Sequence, residues 1–249
     1  MNLKAAYKYQ LTDHTKSVII YYCVIVVLFA LLSIATVNYS TGGSMISGMD
    51  SITVVFLFIV GLCTFREPFV MLLQNGFSRK SIFKSRLLVA CTVVLIMAAI
   101  DKVILLLGKA LSMSSSNSSF LSLYEQVYPA STAHVSPFLF HLNIFVFDLL
   151  MYFTFLAIGY LITLIFYRLN KAGKIAVGAG VPIFFCLIFP IFDYAFFGSG
   201  ISRAFANFFD SIMGISAGNP YAAMLSFIVI SVIISALSWL LMRRAVIKL

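Results

Sequence analysis

Few of the side chains that could do chemistry sit where chemistry could use them. Asp101 and Lys102 stand side by side inside the apolar run 87–108, and Asp148 opens another at 148–167, some 20 residues from Arg168 and so near the outer interface. Ionisable groups at such depth are costly in hydrocarbon, so they either line a pathway or lock helices together. Lys102 also has the length to reach back to the nearer surface. Both readings stay open at this point. The three histidines, His14, His134 and His141, form no His-Glu-x-x-His, and Glu67 and Glu125 fall in loops, so a zinc hydrolase lacks its set. A serine hydrolase is not expected either. No Gly-x-x-x-x-Gly-Lys-Ser/Thr occurs, so the chain has no loop to cradle nucleotide phosphates. Cys23, Cys63, Cys91 and Cys186 all fall within apolar runs and read as small core residues. The expectation is a protein with no enzymatic activity of its own and no bound cofactor or metal.

The elements that carry these residues follow from composition. Hydrophobic residues make up 62% of the chain and charged residues 10%, with a mean hydropathy of +1.06, whereas a soluble domain is roughly one quarter charged. Six apolar runs approach or reach the about 20 residues needed to cross a bilayer, near 17–37, 49–65, 87–108, 148–167, 175–195 and 223–242. Backbone amides in lipid must be paired within their own segment, so these runs are helices. The fold class is all-α, a polytopic integral membrane protein with six transmembrane helices in one transmembrane domain over 1–249. Placing both termini in the cytoplasm puts every lysine and arginine except Lys102, Lys109 and Arg203 on the inner side. The net charge of +9 is thereby absorbed by the flanks of the spans, which leaves no basic patch for nucleic acid. Three early lysines before an apolar run resemble a signal peptide, but cleavage would leave an odd number of spans, so a retained first helix is expected.

Residues 1–16 carry Leu3, Tyr7, Leu11 and His14 at helical spacing, the pattern of a helix lying in the cytoplasmic interface. The segment 196–222 is too polar to cross and too apolar for water, and it reads as an external semi-buried element. The stretch Phe65–Arg86 is the least expected part of the chain. Pro68 fits the first position of a helix, Phe69, Leu72 and Leu73 give it an apolar face, and Asn75-Gly76 supply a left-handed stop. Ser78 then caps the next helix, into which Arg79 and Lys80 lead. A passive connector needs only a turn. A short helix with its own start and stop either rests on membrane lipid through its cations or fits a soluble partner.

This order of elements resembles the permease subunit of a type-2 ABC exporter. The string "LLQNGFSRKSIFKSRLL" is similar to the Asn-Gly-x-Ser-Arg-Lys stretch after the second span in small six-span permeases of Gram-positive bacteria. The resemblance implies that 66–76 is a coupling helix, with Pro68, Phe69, Leu72, Leu73, Asn75, Gly76, Ser78, Arg79 and Lys80 at the contact with a separate ATPase. It further implies two copies of that soluble ATPase, which would carry ATP and Mg, a second permease copy or a related one, and a bacterial plasma membrane. The cargo would be apolar or amphipathic, such as a peptide, lipid or drug. A proton-coupled secondary transporter and a non-transporting sensor or immunity protein are the alternatives. Asp101-Lys102 matches no motif of the family.

Overall fold

The computed structural model describes residues 3–39, 44–114, 118–129 and 136–243, and six helices among them are long and apolar enough to cross a membrane. The first, α1 (Leu3–Tyr39), is one unbroken helix of 37 residues, about 55 Å long at 1.5 Å per residue. The separate interfacial helix expected over 1–16 is therefore not an element of its own. No glycine or proline interrupts the stretch. Ala6, Gln10 and His14, each one turn from the next, are buried, and Gln10 and His14 bond to Ser85 and Arg86 of α4 (Arg79–Ser114).

Between these two helices, α2 (Met49–Cys63) bends at Thr64-Phe65 into the short α3 (Arg66–Gln74). After α4, the strand β2 (Ser118–Leu121) pairs in parallel with β1 (Ser44–Ser47), Ser44 opposite Ser118 and Ser47 opposite Leu121. This pairing ties the loop before α2 to the loop after α4, and the apolar pattern gave no sign of it. A one-turn helix, α5 (Leu123–Val127), follows with a capping box between Ser122 and Glu125. The next span, α6 (Pro137–Arg168), takes in the apolar lead-in that precedes 148. Asp148, expected near the outer interface, consequently lies about 16 Å along the helix from its first residue.

The fifth span, α7 (Lys171–Phe197), widens into π-helical turns at Ala176–Gly180 and Phe184–Ile188. Each wide turn holds the residue four before a proline, Pro182 or Pro190, where a regular helix would drive the ring into a carbonyl. At its end, buried Asp193 accepts the Ile201 and Ser202 amides at 2.9 and 2.8 Å and so caps α8 (Gly200–Met213). On α8, Phe205, Phe208 and Phe209 are exposed along one side. The segment 196–222, expected to be external and semi-buried, holds one amphipathic helix, α8. The last span is α9 (Pro220–Arg243).

Packing is centred on α6, with α2 and α9 along it, α4 across it and α1 against α4. None of the hydrophobic side chains of α7 is buried. The tightest crossing is between α2 and α6, where a Cβ on Gly61 would sit 2.5 Å from the Leu156 carbonyl oxygen and one on Gly159 would overlap the Phe58 carbonyl. Two glycines let the backbones touch, the usual route to helix association in lipid. Gly61→Val should force the pair apart and lower stability by about 2 kcal/mol, read as a drop in thermal unfolding temperature in mild detergent; an unchanged midpoint would show that the contact is not tight.

Candidate functional site

The helix between the second and third spans is built as the sequence proposes at its stop but not at its start or on its faces. Its stop is a left-handed Gly76 (φ +76°), with the Phe77 amide donating to Leu72 O and the Gly76 amide to Leu73 O, both at 3.0 Å. Asn75 adds a side-chain bond to Met71 O at 2.8 Å, and Ser78 accepts the Ser81 amide at 3.2 Å to cap α4. Pro68 is the third helical residue, not the first, and its ring is buried. Phe69 and Leu72 are buried as well, so these three hold α3 to its own chain. Phe65 stacks on Phe69 at 4.8 Å and meets Tyr160 and Tyr167 edge-on at 5.6 and 5.2 Å. The exposed residues are Arg66, Glu67, Met71, Gln74, Asn75, Gly76, Ser78 and Lys80, with Leu73 and Arg79 half-covered. Arg79 reaches the Arg243 carbonyl at the end of α9.

Behind α3 lies a polar cluster around Arg86. Its guanidinium bonds His14 Nε2 of α1, donates to Thr64 Oγ1 at 2.8 Å where α2 bends, and lies 5.0 Å from the ring centroid of Tyr160 on α6. Beside it, Gln10 Nε2 donates to Ser85 Oγ at 3.1 Å. One cation thus ties four elements at the level of the α3 seat. From sequence, Arg86 passes for another flanking cation. A signal was present nonetheless: Ile82, Arg86, Val89 and Val93 recur at four, three and four residues, and all are buried.

The second cluster sits toward the β1–β2 end. Asp101 accepts from Tyr22 OH at 2.9 Å and from Tyr152 OH at 2.7 Å, which joins α1, α4 and α6. The Tyr21 and Thr53 hydroxyls are 2.7 Å apart, and Asp50 accepts the Leu123 amide at 2.8 Å. Asp148, 2% exposed, lies within electrostatic reach of Asp50, Asp101 and Lys102, and neither its Oδ1 nor Lys102 Nζ has a hydrogen-bond partner among the described residues. The structure therefore brings together Asp101, Lys102 and Asp148, the three ionisable residues singled out from sequence. Asp50 completes the set and was missed because it follows a Ser/Gly-rich loop and reads as a helix-start residue. Further out, Lys109 and Glu125 form an ion pair at 2.5 Å. Burial alone would raise the Glu125 carboxyl, but the bonds from Lys109 and Ser122 outweigh it and hold the group below its usual range.

The pentad Gly214-Ile215-Ser216-Ala217-Gly218 does spell Gly-x-Ser-x-Gly, which the sequence reading passed over. It lies between two helices, with no strand before it. Ser216 bonds to Asp210, and no histidine hydrogen-bonds its hydroxyl among the described residues. A nucleophile elbow needs a strand-to-helix turn and a histidine base, and neither is found here among the described residues. No group of three His, Cys, Asp or Glu side chains converges to hold a metal ion among the described residues.

Because Arg86 makes its contacts in a fixed fork, Arg86→Lys should be nearly as damaging as Arg86→Met, each costing about 1.5–3 kcal/mol of stability. Equal unfolding temperatures for wild type and the lysine variant would show that charge alone suffices.

The chain matches no protein-family model, no curated protein and no solved structure, so what it does must be read from its own residues.

Proposed function

We propose that the chain is the membrane-spanning permease subunit of an ATP-driven exporter of the type-2 ABC kind. The observation that carries this reading is α3. It is a separately capped helix whose inner face, Pro68, Phe69 and Leu72, is fixed to the spans, and whose outer face, Met71 and Gln74 to Gly76, is bare. A helix resting on lipid would turn its apolar side outward to the bilayer. Here most of that side is committed to the protein, and what faces away is largely polar and rigidly mounted.

Such a mount can pass motion from a soluble subunit into α1, α2, α4 and α6, because Arg86 and the Phe65 cluster join all four just behind it. In this reading α3 and both ends of the chain face the cytoplasm of a bacterial cell, where the flanking cations belong. Two copies of a soluble ATPase would bind ATP and Mg, and a second permease copy or a related one would complete the assembly. The apolar α7, none of whose hydrophobic side chains is buried, suits contact with that second permease. An open groove of about 680 Å³ between α1 and α4, lined by residues such as Val18, Tyr22, Val26 and Ile96, suits an apolar or amphipathic cargo.

The test is extraction from native membrane in mild detergent, comparing wild type with a Met71→Glu/Gly76→Leu double variant. Wild type should bring down a soluble protein bearing the Gly-x-x-x-x-Gly-Lys-Ser/Thr loop, and the complex should hydrolyse ATP. The variant, folded by its unfolding temperature, should lose both. Wild type arriving without any such ATPase, even from freshly solubilised membrane, would sink the proposal.

A further inference from the structure

On the side where α3 lies, the start of α4 meets the end of α9, and Arg79 donates to the Arg243 carbonyl. Beside that junction opens a groove of about 300 Å³, lined by Lys80, Phe83 and Lys84 of α4 and Trp239 of α9. Its volume is at the low end of the about 300–1,000 Å³ usual for ligand sites. Trp239, the one tryptophan in the chain, is half-buried and set against Phe83 with ring centroids 5.3 Å apart.

The positive charge of this groove is unanswered. Lys80 and Lys84 stand one turn apart on the same helix face, where like charges repel. Arg79 and Lys80 also occupy the first turn of α4, the end of a helix that disfavours cations, and no acidic residue joins them there. No aspartate or glutamate occurs between Glu67 and Asp101 or after Asp210. Glu67 is in the first turn of α3, at the end away from α4, and Asp101 lies about 25 Å along α4 from Lys84. Neither lysine forms an ion pair among the described residues. What adjoins the cations decides the kind of anion. At helical spacing from Lys84, Leu88, Cys91 and Leu95 are exposed, and so are Ala236 and Val232 inward from Trp239 on α9. A soluble anion would meet the lysines alone. A phospholipid matches the whole sequence of surfaces, with phosphate on the cations, glycerol at the level of the tryptophan and acyl chains along the apolar strip.

We propose that this groove binds an anionic glycerophospholipid from the leaflet on the α3 side. Lys80 and Lys84 hold its phosphate, and Trp239 with Phe83 packs against the glycerol and the upper acyl chains. The site stands apart from the apolar groove between α1 and α4. It does not depend on the ATPase reading, since it needs only that the helices span a bilayer.

Because Trp239 is the sole tryptophan, its fluorescence reads this groove directly. The full chain is reconstituted in phosphatidylcholine vesicles in which a rising fraction of the lipid carries bromine on its upper acyl chains, as phosphatidylglycerol or as phosphatidylcholine. Brominated phosphatidylglycerol should reach half-maximal quenching at a mole fraction at least about fivefold lower, the factor that one lysine's attraction supplies. The preference should disappear in Lys80→Gln/Lys84→Gln and persist in Lys171→Gln/Lys174→Gln, which removes the same charge from the start of α7. Equal quenching of wild type by both lipids would overturn the proposal. So would a preference that changes equally in the two double variants, since that is attraction by overall charge. Loss of the preference in inorganic phosphate at matched ionic strength would place a soluble anion in the groove and overturn the lipid assignment.

Discussion

Hydrocarbon offers no partner to a polar group, and most of what is specific in this structure follows from that constraint. The chain carries few ionisable residues within its spans, and it gathers them at two levels. Near α3, Arg86 reaches into α1, the α2 bend and α6. Further along, Asp101 draws together Tyr22 of α1 and Tyr152 of α6. Apolar packing between helices in lipid gains nothing from excluding water, so these bonds and the Gly61–Gly159 approach fix register where leucines alone could slide. The same α1, α4 and α6 meet in both clusters.

That arrangement gives the molecule two dissimilar ends. At one, α3 is seated on Phe65, Tyr160 and Tyr167 and turns a polar rim away from the spans. At the other, the β1–β2 pairing and the Ser122–Glu125 box clamp the loops around the acidic group, and α8 lays its phenylalanines outward. Standing apart is α7, joined through Asp193 to α8 and bearing apolar side chains on every side. A helix apolar all round belongs in lipid or against another membrane protein.

The six spans were legible because the bilayer imposes length and hydropathy directly on sequence. The stop of α3 and the cap of α4 were legible for a similar reason: Asn75-Gly76 and Ser78 act locally, through backbone conformation and caps. What sequence did not show were choices between distant segments. Whether 1–16 lies in the interface or continues into the first span turns on Gln10 and His14 meeting Ser85 and Arg86, more than 70 residues away. Likewise, Phe69 and Leu72 mark an apolar face in either case, and only Tyr160 and Tyr167 decide that it turns inward. Asp148 was placed near a surface because span ends were read from hydropathy alone, while α6 begins at Pro137 and carries Asp148 well inside. The pairing of Ser44 with Ser118 has no local signature at all.

The account stands on α3 and α8 lying on opposite sides of one membrane. With Cys23, Cys63, Cys91 and Cys186 replaced by alanine, single cysteines at exposed Gln74→Cys and Asn207→Cys can be labelled in intact cells with a maleimide that does not cross membranes. The expected result is rapid labelling at 207 from outside and labelling at 74 only after the cells are opened. Labelling of both positions from the same side would contradict the six-span arrangement, and with it the proposed docking role of α3.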